Sequence, residues 1–370
     1  MDLLPFLLDE WLAAYEFASP PIRYNLASST GPVWTFADLM ALGDGDARRE
    51  LQTLRMSYVP PAGTVGLRQR IGSFHEVDPD WVVTTTGASE ALSALFCTVA
   101  EPGATVLLPF PVFSAMPVVA RAWGLGVKAY HMSRERGFRQ PGEWILAAVD
   151  STTRLVLVNS PHNPTGAVMP AEELAHLAGE LAKQKIPLVV DEVYHPLYFD
   201  RAMPSAASVP NTIVISDMSK ALSLPGLRTG WLIDRDAQRR KRLIDARSYF
   251  TISGSPVLEM LAAVALRSRV KILARLESVA RANLGLLDEF MQTHRDTLSW
   301  VRPAGGTVSF PWFRDGRNAR PVCEALAQAG VLVAPGDCFD APDHFRLGFG
   351  LQENGFLEAL AIFSRVLASQ

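Results

Sequence analysis

The sequence is poor in cysteine. Its three, Cys97, Cys323 and Cys338, form an odd set at wide spacing with no C-x-x-C pair. That excludes a disulfide framework and a zinc ribbon, and fits a reducing compartment, here expected to be the cytoplasm. A surplus of one charge is also missing: 35 basic against 38 acidic residues leave a net −3, giving no electrostatic ground for nucleic acid or an anionic membrane as partner. The Arg-rich segments "DARRE" and "RDAQRRKR" are short and not interleaved with aromatics, and are expected as solvated helix faces. No apolar run is long enough to span a bilayer; the longest, "LLPFPVFSAMPVVA", is broken by prolines. The N-terminal "MDLLPFLLDEWL" carries acids where a secretion signal carries bases, and reads as a short amphipathic arm. Repeats and low-complexity tracts are absent.

What is present is an ordinary globular balance, 48% apolar and 20% charged over 370 residues, enough for two domains sharing a large core. Short runs rich in β-branched residues recur through the middle of the chain: "WVVTTTG", "TVLLPFP", "LGVKAYHM", "RLVLVNSP", "IPLVVDEVY", "NTIVISD" and "LRTGWLI". Helical patterns such as "SEALSALFCTVA" and "PAEELAHLAGELAKQ" lie between them. The second opens with Pro170, and Glu172 and Glu173 fall in its first turn, where the helix dipole favours negative charge. This alternation predicts an α/β fold, a mostly parallel seven-stranded sheet with helices on both faces. We expect a large domain over 41–250 and a smaller α+β domain over 251–370. The latter ends in short strands around "TVSFPWF", "GVLVAPG" and "HFRLGFG", and residues 1–40 supply an arm and part of the small domain.

In such a sheet ligands bind where strands end. After the first strand, "TTTGASEAL" puts the amides of Ala88 and Ser89 at a helix start, an anion site by backbone donors and dipole. Phe113, in "PFPVFSAM", is either core or a flat surface for a planar ligand. "NSPHNPTG" is an uncharged, turn-prone loop presenting Asn163. "DEVY" leaves Asp191 at the end of an apolar strand, expensive to bury unless something positive meets it. "SDMSKALSLPGLRTGW" adds Ser219, Lys220 and Arg228. An anion cradle, a stacking surface, a buried acid, an amide, a phenol (Tyr194) and a lysine together suit pyridoxal 5′-phosphate. Lys220 would be the Schiff-base lysine, Asp191 the partner of the pyridine nitrogen, and Asn163 and Tyr194 the donors to the phenolic oxygen. Arg228, Ser219, Ala88 and Ser89 would hold the phosphate.

With "YVPPAGTVGLR", "EPGATVLLPFPVF", "GVLVAPG" and "FRLGFG", these motifs resemble the fold-type-I, class I/II aminotransferases over nearly the whole chain and in the family's order. The resemblance implies transfer of an amino group between an L-amino acid and a 2-oxo acid. It implies a homodimer in which Tyr58 reaches the neighbouring subunit's phosphate. Arg346 would bind the substrate carboxylate with a bidentate fork, which Lys cannot match, and Gly31 would lie near the substrate. Two departures stand out. Asp217 occupies a position where the family often has a phosphate-binding Ser, and is expected to turn away, toward a backbone amide or Arg228. Phe113 replaces a common Tyr. His162 and His195 are expected to be structural.

Two other functions stay open at this level. "SSTGPVWTFADL" and "SKALSLPGLRTGW" also resemble capreomycidine synthase and its relatives, which use the same cofactor to cyclise an arginine-derived substrate. A non-catalytic cofactor-binding domain of a transcriptional regulator would carry a DNA-binding domain ahead of it, for which the residues before 25 leave no room. Trp34 suits an aromatic or aliphatic substrate, or the core.

Overall fold

The computed structural model of the chain describes residues 5–16, 18–19, 21–43 and 45–369. The first four residues of the expected amphipathic arm lie outside that set; the rest of the arm contains a helix, Leu7–Glu16, that buries Leu8 and Trp11.

All seven strand-like runs form strands of one sheet. They are β1 (Val82–Thr85), β2 (Thr105–Phe110), β3 (Gly126–His131), β4 (Thr153–Asn159), β5 (Leu188–Asp191), β6 (Thr212–Asp217) and β7 (Gly230–Asp234). Their order across the sheet is β1-β7-β6-β5-β4-β2-β3. All neighbours are parallel except β7, which runs against both β1 and β6. The alternation of side chains along a strand sends successive residues to opposite faces. Val156, Val158, Val190 and Val214 accordingly enter one apolar layer, while Leu155, Leu157, Val189, Ile213 and Ile215 enter the other. Both layers are capped by helices, so the sheet is buried on both sides. Helix Ala171–Lys183 presents Leu174, Leu177, Ala178 and Leu181 to the first layer, the spacing of one helical stripe. Helix Gly87–Val99 presents Ala91, Leu92, Leu95 and Phe96 to the second. Truncating one of these leucines to Ala would cost about 2–5 kcal/mol.

Beyond β7 the chain is helical, including the 25-residue helix Arg269–Thr293. Three short antiparallel strands follow, with Phe345–Gly348 between Val308–Ser309 and Ala334–Pro335. The N-terminal strand Tyr24–Asn25 pairs in parallel with Val331–Leu332, tying the start of the chain to its end. The Arg-rich segments lie on helices Gly45–Thr53 and Ala237–Arg247, with Arg48, Arg49, Lys241 and Arg242 exposed. Among the described residues no helix is long and apolar enough to cross a membrane.

Candidate active site

The sheet's register gathers the chemistry at one edge. Asn159 and Asp191 are the last residues of β4 and β5 and lie side by side. Asp217 ends β6 opposite Gly230, and Gly230, the first residue of the antiparallel β7, also faces Thr85 at the end of β1. Thr85, Asn159, Asp191 and Asp217 therefore stand on the same rim, with Gly230 between Thr85 and Asp217.

A cavity of about 190 Å³ opens there. Nine of the twelve expected site residues line it: Ala88, Ser89, Phe113, Asn163, Asp191, Tyr194, Ser219, Lys220 and Arg228. Of the other three, Arg346 reaches the site from strand Phe345–Gly348 by donating from Nη1 to Asn163 Oδ1 at 3.1 Å. Gly31 lines an adjoining chamber instead. Tyr58 is 83% exposed, outside the cavity of its own chain.

Two glycines build the anion cradle. A Cβ on Gly87, where φ is +76°, would stand 2.8 Å from Arg228 Nη2. A Cβ on Gly230 would stand 2.6 Å from the carbonyl carbon of Gly87. Only glycine at both places lets the guanidinium approach the start of helix Gly87–Val99. Arg228 itself adopts a left-handed backbone, φ 44°, rare and costly for a residue with a side chain. Its Nη1 donates to the Pro225 carbonyl at 3.1 Å.

Lys220 Nζ donates to Ser29 Oγ at 2.8 Å, and burial lowers the lysine's pKa. Asp191 accepts from the Val193 amide at 3.2 Å. Burial pushes its pKa up to about 7, and the neighbouring Asp217 adds to the rise against the opposing effect of that amide. Tyr194 is fully enclosed; among the described residues its hydroxyl has Ser29 and Thr307 near it but no hydrogen bond of good geometry, and burial pushes its pKa up to about 12. Arg346 is also enclosed. Its Nη2 donates to the Ala27 carbonyl at 2.7 Å, while Nε has no partner among the described residues.

These loose ends fit the expected cofactor. Among the described residues no ion pair meets the buried Asp191 carboxyl, which Lys220 influences only through space, and a protonated pyridine nitrogen would supply one. The Tyr194 hydroxyl, which makes no well-formed hydrogen bond among the described residues, suits the ring's phenolic oxygen, and the Gly87–Arg228 cradle suits a phosphate.

Asp217 has turned onto its own turn: its two oxygens accept the Ser219 amide and the Ser219 hydroxyl, each at 2.8 Å. The expectation of a backbone amide is met. Among the described residues no ion pair joins it to Arg228. This has a consequence for Ser219, expected to hold phosphate. Its hydroxyl proton is committed to a carboxylate that can only accept, so in this geometry the side chain has no donor to offer an anion. His162 and His195 do not line the cavity; their Nδ1 atoms bond Thr165 Oγ1 at 2.9 Å and Tyr198 Oη at 3.0 Å. Burial lowers them to about 3 and about 4.

Sequence reasoning missed two residues. Asn159 fixes the Asn163 loop, its Oδ1 accepting the Asn163 amide at 2.7 Å and its Nδ2 donating to the Asp191 carbonyl at 3.0 Å. Its place at a strand end beside "SPHNPTG" was the available signal. Ser29 lies 191 residues from the lysine it contacts, and only its nearness to Gly31 in "SSTG" pointed to it.

A doubly covered α/β sheet with a buried lysine, a buried acid and an anion cradle at its strand ends defines a pyridoxal 5′-phosphate enzyme. The profile of aminotransferase class I and II matches residues 40–363. The chain belongs to that family and is a pyridoxal-phosphate-dependent aminotransferase, moving an amino group between an amino acid and a 2-oxo acid. It is 31% identical to capreomycidine synthase of Streptomyces vinaceus, over 98% of this chain and 93% of that one. It is likewise 31% identical to a probable aspartate/prephenate aminotransferase of Thermus aquaticus, over 86% of each. In structure it is similar to a PLP-dependent aminotransferase from Streptococcus suis, with a TM-score of 0.92 and 27% identity, covering 100% of this chain and 99% of that one.

Proposed function

We propose that Lys220 is the residue that binds the cofactor and carries the proton, that Arg346 holds the substrate carboxylate, and that the outcome is transamination. One observation supports this most: Lys220, Asn163 and Arg346 converge, with Arg346 bonded to Asn163 on the wall of the Lys220 cavity. Bound there, pyridoxal 5′-phosphate supplies an electron-withdrawing ring that weakens bonds at the substrate's Cα. Asp191 would pair with the ring nitrogen and favour a proton on it. Asn163, anchored by Asn159, and Tyr194 would hold the ring oxygen by donating to it. Arg346, fixed by Asn163 and Ala27, orients the carboxylate so that one Cα–H bond stands toward Lys220. Lys220, its pKa lowered by burial, takes that proton and returns it as general base and acid.

The working unit is a homodimer in this reading, with Tyr58 completing the partner's site. Support comes from an exposed apolar set, Met56, Tyr58, Tyr249 and Ile252, on two segments joined where Arg247 donates to the Pro61 carbonyl. The large domain over 41–250 would bear the cofactor, the small one over 251–370 would bring Arg346, and the enzyme would act in the cytoplasm.

The 31% identity to capreomycidine synthase over nearly the whole chain favours a second reading, elimination or cyclisation at the side chain. An amino-donor screen on the loaded enzyme separates the two. Transamination bleaches the cofactor's visible band with donor alone and restores it with a 2-oxo acid. A donor converted without transfer of its nitrogen would refute transamination.

A further inference from the structure

A second chamber of about 390 Å³ lies beside the Lys220 cavity; Gly31 and Trp34 line it, and the cofactor-holding and proton-carrying roles above do not use it. The two are contiguous. Pro225 lines both, and Ser223, on the chamber wall, donates its amide to the Lys220 carbonyl at 3.0 Å. The facing wall begins with Thr30 and Gly31, immediately after the Ser29 that Lys220 touches. Gly31 has a packing reason to be glycine, since a Cβ there would stand 2.0 Å from Ser223 Oγ.

The walls carry no charge. They are mainly Trp34, Leu39, Leu224, Leu227 and Leu261. Trp34 is braced by Arg275, whose guanidinium lies 4.5 Å from the ring centre. Arg275 is in turn held by Glu353 through contacts of 2.8 and 2.6 Å, and neither member of that ion pair lines the chamber. The Arg275 charge is therefore neutralised away from the space itself.

We propose that this chamber receives the substrate's side chain, and that the amino donors are neutral, with aliphatic or aromatic side chains, paired with the matching 2-oxo acids. The proposal rests on the transaminase reading. A second carboxylate or a guanidinium would leave water for walls that provide no counter-charge, whereas an apolar side chain gains from the same burial. Continuity with Lys220 makes the substrate the occupant, because only a group attached to the reacting Cα reaches both spaces at once.

Gly226 makes the test possible. It lines the chamber, and an added Cβ meets nothing within 4 Å, so Gly226→Leu introduces a side chain at the chamber's edge with no clash at its Cβ. In the cofactor-loaded enzyme, kcat/KM for leucine or phenylalanine relative to alanine is expected to fall at least ~10-fold. A second readout needs no turnover. 2-Methylleucine has no Cα–H to lose, and its half-saturating concentration for perturbing the cofactor's visible absorption should rise by a similar factor relative to 2-methylalanine. A parent enzyme preferring aspartate, glutamate or arginine to leucine and phenylalanine would overturn the chamber's assignment, as would an unchanged leucine-to-alanine ratio in the variant. Either result would leave transamination standing. A parent enzyme that binds the cofactor yet converts no amino acid would overturn the reading beneath the proposal.

Discussion

Asp191→Asn should make the cofactor-free protein more stable and the loaded enzyme worse. Burial holds the Asp191 carboxyl at about 7 against an ordinary 3.8. Below 3.8 the group is protonated in both the folded and unfolded states, and it costs nothing. Between 3.8 and about 7 the unfolded chain ionises while the folded one keeps its proton, so folding loses stability as pH rises. Above 7 the full cost is present. The gap corresponds to roughly 4 kcal/mol, an upper figure because the Lys220 charge shares the site and favours the ionised acid. Asparagine cannot ionise, yet its carbonyl still accepts the Val193 amide that now bonds Asp191 at 3.2 Å. Urea unfolding of the cofactor-free proteins at pH 8 should favour the variant by about 2–4 kcal/mol. That advantage should shrink toward zero near pH 4. Adding cofactor should reverse the ranking, because binding to the folded state stabilises in proportion to affinity and the variant lacks the partner for the ring nitrogen; turnover should drop at least ~10²-fold. A cofactor-free variant no more stable than the parent at pH 8, or a difference indifferent to pH, would refute the claim that an unpartnered acid is stored in this site.

Lys220→Ala should abolish amino transfer and leave the circular dichroism unchanged; transfer at the parent rate would disprove its role. Arg346→Lys should raise the apparent substrate constant while the cofactor's absorption stays normal, since an ammonium cannot reproduce the two-pronged contact; loss of cofactor instead would make Arg346 structural. Asp217→Ser removes a negative charge from the phosphate side of the cavity and releases the Ser219 hydroxyl to donate. Cofactor dissociation, followed by dilution, should be unchanged or slower, and clearly faster release would show that Asp217 supports the phosphate site through another residue.

The strand ends were legible because each is marked twice, by a β-branched run and by the break that follows it. "LVVDEVY" and "TIVISDMSK" gave Asp191 and Lys220 in this way, and the structure sets both beside one cavity. Asp217 was readable only in part: the sequence left a nearby amide and Arg228 as alternatives, and the structure shows the Ser219 amide two residues on. The adjoining chamber was not readable: "PVWTFADL" is equally consistent with core packing, and only the space between Trp34 and Leu224 distinguishes the two.

By itself the sequence determined what depends on neighbours along the chain: the alternating elements, the turn chemistry at each strand end and the kind of cofactor those residues suit. The strand order, with β7 reversed between β1 and β6, was decided by tertiary structure. So were the contact of Ser29 with Lys220, the reach of Arg346 to Asn163 and Ala27, and the strained backbone of Arg228 against Gly87. Local periodicity records which face of an element is apolar, whereas these contacts join residues as many as 319 positions apart. Packing of whole layers sets them, and nothing in the local pattern at either end specifies the other.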